Sequence, residues 1–188
     1  MRRTIAMMPV SLDGYIEGPD GQMGGEAADD GDAWKEAFEM LETVDVCVLG
    51  RVMYPEYERY WMSVLVKAGG DKDEIAYARW ADKTPHVVLS KTLDTVAWKT
   101  TRIVRDIDEI RRIKGLPGRD IYVVGGPTLI ASLMNAGLID ELRLTLHPLV
   151  LGGGKALFKD VKQRQLLKLT RAKPLESGKV RLTYEIRS

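Results

Sequence analysis

Residues 121–130 constrain the fold more than any other stretch, because they join a strand pattern to a helix pattern through two glycines. The run 121–124, Ile-Tyr-Val-Val, is typical of a strand buried on both faces of a parallel sheet. Gly125 and Gly126 permit a tight turn and a close approach of backbone to ligand. Pro127 suits a first helical turn, and apolar spacing predicts a helix up to Gly137. The helix start is a suitable anion site for a pyrophosphate, although a ligand-free turn explains these residues equally well.

Length, charge and composition exclude several classes of protein. A chain of 188 residues predicts a single domain, residues 1–188, with a sizeable core. The formal net charge of +1 argues against a nucleic-acid partner. The single cysteine, Cys47, and the separated His86 and His147 give no metal-binding pattern. The sequence contains no predicted secretory signal or membrane span, so a cytoplasmic protein is expected.

Strand and helix patterns alternate along the chain, which predicts an α/β fold with a mostly parallel sheet. Two final strands flank a turn at 176–178 and predict an antiparallel hairpin at one sheet edge. Predicted helices begin at 31 or 32, 52, 73, 107 and 127, and the second of them runs to 61. The predicted strands are 4–8, 44–49, 86–89, 101–104, 121–124, 141–151, 166–172 and 180–186, and residues 10–16 are predicted to bend at Asp13-Gly14 into a second short extended segment.

Three of the predicted parallel strands end in residues suited to phosphate. Gly50-Arg51 combines close backbone approach with a guanidinium, and residues 90–92, Ser-Lys-Thr, combine two hydroxyls with an ammonium. Residues 125–128 add backbone amides and a hydroxyl. Ligands of open α/β sheets bind beyond such strand ends. Each group alone is explained by a surface charge or turn, but their coincidence favours a dinucleotide carrying an extra 2′-phosphate. The G-x-G-x-x-G fingerprint of ordinary dinucleotide-binding folds is absent.

Several motifs together resemble the dihydrofolate-reductase-like superfamily, and most closely its RibD C-terminal (riboflavin biosynthesis reductase) domain family. The resemblance implies a three-layer fold around a sheet of about eight strands, NADPH as the hydride donor, and a homodimer. The motifs are Ser11-Leu12-Asp13-Gly14, Gly50-Arg51, Val88-Leu89-Ser90-Lys91, Val124-Gly125-Gly126-Pro127-Thr128-Leu129, and 139–142 followed by 149–158.

The resemblance also implies which residues bind the cofactor. Residues at the ends of the predicted strands 44–49 and 86–89 are assigned to the cofactor phosphates. The Gly-Gly-Pro turn is assigned to the pyrophosphate and nicotinamide side, and Ala6 and Ile16 are assigned to the wall beside the nicotinamide. Met53 stands where many relatives have threonine, which removes one hydroxyl. The implied residues are Ala6, Ile16, Gly50, Arg51, Val52, Met53, Leu89, Ser90, Lys91, Val124, Gly125, Gly126, Pro127, Thr128 and Leu129.

Two carboxylates are candidate proton donors. Asp32 corresponds best to the substrate-binding carboxylate of folate reductases, with Glu36 as the next candidate, and a helix N-cap also explains Asp32. Asp13 is the second candidate, and an Asp-Gly turn explains it almost as well. The glycine-rich segment Gly18–Gly31 is expected to be a loop that closes over the substrate.

The function implied is an NADPH-dependent reductase that passes hydride to a C=N or carbonyl carbon of a pyrimidine-like or pterin-like substrate. The model reaction is that of 5-amino-6-(5-phosphoribosylamino)uracil reductase. The H-x-E and P-C-x-x-C motifs of the zinc deaminase that accompanies this reductase in two-domain enzymes are absent. A dihydrofolate-type reductase and a non-catalytic NADPH-binding module are the alternatives.

Overall fold

The computed structural model describes residues 1–23, 33–67 and 69–187. It confirms the α/β class, with an eight-stranded, mostly parallel sheet whose last strands are antiparallel. The helices are α1 Ala33–Leu41, α2 Tyr54–Val66, α3 Lys72–Lys83, α4 Ile107–Gly115 and α5 Pro127–Asn135. The strands are β1 Thr4–Ser11, β2 Tyr15–Glu17, β3 Val44–Gly50, β4 His86–Leu89, β5 Thr101–Val104, β6 Asp120–Val124, β7 Glu141–His147, β8 Lys155–Ala156, β9 Leu166–Pro174 and β10 Val180–Arg187.

Most element boundaries agree with the sequence patterns, and two predictions are corrected. The strand predicted over 141–151 ends at His147, because Pro148 has no backbone N–H to continue the ladder. The helix predicted over 52–61 extends from Tyr54 to Val66, with Pro55 in its first turn, where a missing N–H costs nothing. The hairpin strands β9 and β10 are confirmed as an antiparallel pair.

The chain groups into two compact units, and the prediction of one domain stays a prediction. The first unit comprises Met1–Arg2 and Trp34–Gly125. It holds the parallel strands in the order β5-β4-β3-β6. Apolar side chains on both faces of β3 are buried, as expected for a covered parallel strand. Helices α3 and α4 begin at aspartate N-caps, Asp71 and Asp106, whose carboxylates accept backbone amides.

An aromatic cluster fills part of the core of the first unit. The hydroxyls of Tyr57 and Tyr77 lie 3.0 Å apart, and the rings of Trp61 and Tyr77 are 4.3 Å apart. The imidazole of His86, at the start of β4, stacks on Trp98 with ring centroids 4.9 Å apart. The Tyr57 ring packs 5.7 Å from that imidazole. His86 therefore lies among aromatic rings rather than at a solvent-exposed edge.

The second unit comprises the described residues of Arg3–Ala33 and Gly126–Ser188. Strand β1 pairs with β7 in parallel, and β10 pairs antiparallel with both β7 and β9. The buried Glu141 carboxylate accepts hydrogen bonds of 2.5 Å from both Arg3 and Arg143, so a charge in the sheet is fully compensated. No described helix has the length and hydrophobicity needed to cross a bilayer.

Candidate functional site

The carboxyl ends of three parallel strands meet at one edge of the first unit. Residue Gly50 of β3 pairs with Leu89 of β4, and Leu49 pairs with Val124 of β6. The three strands therefore end within one residue of the same level, and Arg51, Ser90 and Gly125 follow their last residues. The prediction that these three strand ends are neighbours is confirmed.

Two cations project from this edge. Arg51 follows Gly50, Lys91 follows Ser90, and both side chains are exposed. Within the described ranges, neither side chain makes a hydrogen bond or ion pair. Val52 and Met53, which follow Arg51, are 80% and 42% exposed, and Met53 gives α2 no side-chain cap. Unpaired cations at adjoining strand ends form a local positive field suited to an anion.

Ser90 shapes the turn that carries Lys91. Its side chain is nearly buried, at 5% exposure, and its amide donates to the Val104 carbonyl at 3.0 Å. The Ser90 Oγ accepts the amides of Thr92 at 3.2 Å and Leu93 at 2.8 Å. The Ser90 hydroxyl therefore stabilises the turn by local hydrogen bonds, and Lys91 and Thr92 within the turn are exposed.

Arg105 also holds this turn, and the sequence reasoning missed it. The Arg105 Nη1 atom donates to the Ser90 carbonyl at 3.0 Å and to the Leu93 carbonyl at 2.7 Å. Arg105 directly follows Val104, the last residue of β5, and β5 pairs in parallel with β4. Its position one residue beyond a fourth strand end was the available signal.

The Gly-Gly-Pro turn continues into the second unit at Gly126, the N-cap of α5. A Cβ built on Gly126 meets no heavy atom within 4 Å, and its φ of −78° is ordinary. The packing of the described residues therefore does not require glycine here, and the space that it leaves is open. In the first turn of α5, Pro127 and Leu129 are buried, whereas Thr128 is exposed.

The remaining predicted residues lie on β1, β2 and α1 or outside the described residues. Ala6 is fully buried in β1, and Ile16 is half-buried in β2. Asp32 and residues 24–31 of the segment Gly18–Gly31 lie outside the described residues. Glu36 lies in the first turn of α1 and is half-buried. The assignment of these residues to substrate or cofactor stays a prediction.

Asp13 is anchored by hydrogen bonds on both carboxylate oxygens. Ser11 Oγ donates to Oδ1 at 2.7 Å, as does the Leu151 amide at 3.1 Å, while the Gly152 amide donates to Oδ2 at 2.8 Å. The Ser11 hydroxyl, and then these amides, lower the pKa of Asp13 to about 2. Asp13 thus joins the turn after β1 to the loop after β7 as a carboxylate. Its role as proton donor stays a prediction, and its ionised form favours a positioning role.

Replacing Asp13 with alanine is expected to loosen the loop at Leu151 and Gly152. Each amide loses a charged acceptor, so hydrogen exchange at both positions should speed up by about tenfold. Asp20→Ala is the matched control, because the Asp20 carboxylate accepts the Gln22 amide in the turn after β2, and among the described residues it accepts neither the Leu151 nor the Gly152 amide. Unchanged protection of Leu151 and Gly152 in Asp13→Ala would contradict the anchoring role.

Comparisons with known proteins identify the family and the fold. The family model of the RibD C-terminal domain matches residues 2–180. The uncharacterized protein YyaP of Bacillus subtilis is 33% identical over 97% of this chain and 94% of its own length. Acinetobacter baumannii RibD superposes with a TM-score of 0.70 at 16% identity, covering 100% of this chain and 59% of that one. Dihydrofolate reductase from Enterococcus faecalis, solved with NADP(H), gives a TM-score of 0.59 at 14% identity over 99% and 97% of the two chains. The chain therefore belongs to the RibD C-terminal domain family, and its fold is that of the dihydrofolate-reductase-like superfamily.

Proposed function

We propose that the protein is an NADPH-dependent reductase acting on a C=N or carbonyl group of a small pyrimidine-like or pterin-like substrate. The reaction would resemble that of 5-amino-6-(5-phosphoribosylamino)uracil reductase. The observation that carries the proposal is a pair of cations, Arg51 and Lys91, that follow adjoining strand ends and have no partner among the described residues. Family membership and the NADP(H) complex of the Enterococcus faecalis enzyme add support.

The residues present fit a phosphorylated dinucleotide. Arg51 and Lys91 would bind the 2′-phosphate through charge-assisted hydrogen bonds. The assignment of the Gly-Gly-Pro turn to the pyrophosphate is the part of the proposal that rests on the family resemblance. When bound, NADPH supplies the hydride. The protein's contribution is binding, orientation and exclusion of water. Asp13 would hold the loop at Gly152 in position, and a carboxylate or a bound water would provide the proton.

Titration with NADPH tests the proposal directly. Wild-type protein is expected to show a saturable change in the fluorescence of its four tryptophans. Lys91→Ala and Arg51→Ala should each weaken binding by about tenfold, because each removes a charge-assisted phosphate contact. Isothermal titration calorimetry would give the dissociation constants.

Lys99→Ala is the control for this titration. Lys99 is an exposed lysine just before β5, at the opposite end of the strand from Arg105, and it has no partner among the described residues. Its removal should change the affinity by less than about twofold. The absence of any fluorescence or heat change at millimolar NADPH would refute the proposal.

The alternatives give different results in the same assays. Turnover of dihydrofolate that is lost in Asp32→Asn would indicate a folate-type reductase. NADPH binding without oxidation by any pterin, flavin precursor or aldehyde would indicate a non-catalytic module. The homodimer and the cytoplasmic location are part of the proposal, and sedimentation and fractionation would test them.

A further inference from the structure

We propose that Arg105 is a positioning residue that sets the preference for a 2′-phosphorylated dinucleotide over its unphosphorylated form. The inference rests on the proposed function, because it concerns the same strand-end cations. Arg105 acts through Lys91: it fixes the turn that presents the ammonium, and it does not itself contact the phosphate.

The turn is held by hydrogen bonds within itself and by bonds to the neighbouring strand end. Within the turn, Ser90 Oγ accepts the amides of Thr92 and Leu93. From outside it, the Val104 carbonyl accepts the Ser90 amide, and the Arg105 guanidinium bridges the carbonyls of Ser90 and Leu93 through Nη1 at 3.0 and 2.7 Å. Both carbonyls that bracket Lys91 and Thr92 are thus held by one nitrogen.

Arg105 is itself held in place. Its amide donates to Glu109 Oε1 at 3.1 Å, and Asp106 caps the start of α4 by accepting the Asp108 amide at 2.9 Å. These bonds fix the backbone from which the Arg105 side chain reaches the turn, and Nη1 donates to the two turn carbonyls. The Lys91 ammonium, in contrast, has no partner in the described ranges. Arg105 therefore fixes the conformation of the turn, and Lys91 provides the positive charge for the phosphate.

Binding of the 2′-phosphate depends more on the position of Lys91 than binding of the rest of the dinucleotide does. A charge-assisted hydrogen bond is strong only near its ideal distance. If the backbone at Lys91 becomes mobile, the protein therefore binds the 2′-phosphate less tightly. The remainder of the ligand is the same in NADPH and NADH. Loss of Arg105 should therefore reduce the affinity for NADPH and spare that for NADH.

The test compares dissociation constants for NADPH and NADH in wild-type protein, Arg105→Ala and Arg102→Ala. Arg105→Ala is expected to weaken NADPH binding by about tenfold and NADH binding by less than about twofold. Arg102 is the matched control, because it is an exposed arginine of β5 without a partner among the described residues. Its loss should leave the ratio of the two constants unchanged.

A second measurement needs no ligand. Hydrogen exchange at the amides of Thr92 and Leu93 should speed up in Arg105→Ala and stay unchanged in Arg102→Ala. If Arg105→Ala does not fold, Arg105→Lys replaces it: the charge is kept and the bridge geometry is lost, so NADPH selectivity should still fall.

The outcomes separate the two proposals. Wild-type protein that binds neither dinucleotide overturns the proposed function and the role of Arg105 with it. Wild-type preference for NADPH that persists in Arg105→Ala overturns the role of Arg105 alone. Equal weakening of NADPH and NADH also overturns it, because the residue would then act only as general support for the fold.

Discussion

Replacing Gly154 with alanine is expected to lower the free energy of unfolding by more than about 3 kcal/mol. Gly154 has a φ of +111°, and a Cβ built there lies 2.1 Å from the Glu17 carbonyl oxygen and 2.6 Å from the Gly18 carbonyl carbon. The obstacles are backbone atoms, so no side-chain rotation can relieve them. The next residue, Lys155, begins β8, which pairs with β2. Urea unfolding of the variant would measure the loss.

The two preceding glycines provide an internal control series. A Cβ on Gly153 meets only Pro19 Cγ at 3.7 Å, so alanine there should change stability by less than about 1 kcal/mol. Gly152 has a φ of +70° and open space around it, so alanine should cost only the backbone strain, about 1 kcal/mol. Equal losses at the three positions would show that the approach of Gly154 to the β2 backbone does not limit stability.

Sequence patterns predicted the fold where one physical signal dominated. Apolar runs such as 46–49 and 121–124, each followed by glycine, favour strands of a covered sheet. Parallel pairing then fixes which ends meet, so the adjacency of Gly50 and Leu89 followed from the pattern. For the same reason, it was predictable that Arg51 and Lys91 follow adjoining strand ends.

Contacts made between distant loops left no such signal. Tyr15 pairs with Ala156, and these residues belong to very short strands that are far apart in the chain. Strands this short contain too few residues for an alternation of apolar and polar residues to predict their pairing. The bonds from Arg105 to Ser90 and Leu93 depend on a side chain reaching across a turn. Asp13 looked like a catalytic acid or a turn residue, and its three hydrogen bonds come in part from amides at 151 and 152. Tertiary geometry decides such contacts.

Acid is expected to destabilise the protein through His86. The imidazole is fully buried against Trp98 and Tyr57, and neither of its ring nitrogens makes a hydrogen bond of normal geometry in the described ranges. Burial lowers the pKa of His86 to about 4, and the nearby Thr84 backbone and Glu58 charge only partly oppose that shift. The folded state therefore keeps this histidine neutral at pH values where the unfolded chain is protonated.

The sign of the pH dependence follows from proton binding. Between the ordinary pKa of about 6.5 and the lowered value of about 4, the unfolded state binds a proton at His86 that the folded state does not. Stability is then complete above pH 6.5 and falls as the pH is lowered towards 4. The full shift corresponds to a loss of about 3 kcal/mol, which urea unfolding between pH 7 and pH 4 would measure.

Two variants isolate this histidine from the carboxylates that also titrate in acid. His86→Phe keeps a ring for Trp98 to stack on and removes the titrating group. Between pH 7 and pH 4, its free energy of unfolding should therefore fall by about 3 kcal/mol less than that of the wild type. His86→Leu serves if the larger ring does not fit. His147→Gln removes the other histidine and should retain the wild-type acid sensitivity. If His86→Phe is as acid-sensitive as the wild type, the loss of stability in acid arises from other groups, because the variant has no titrating side chain at this position.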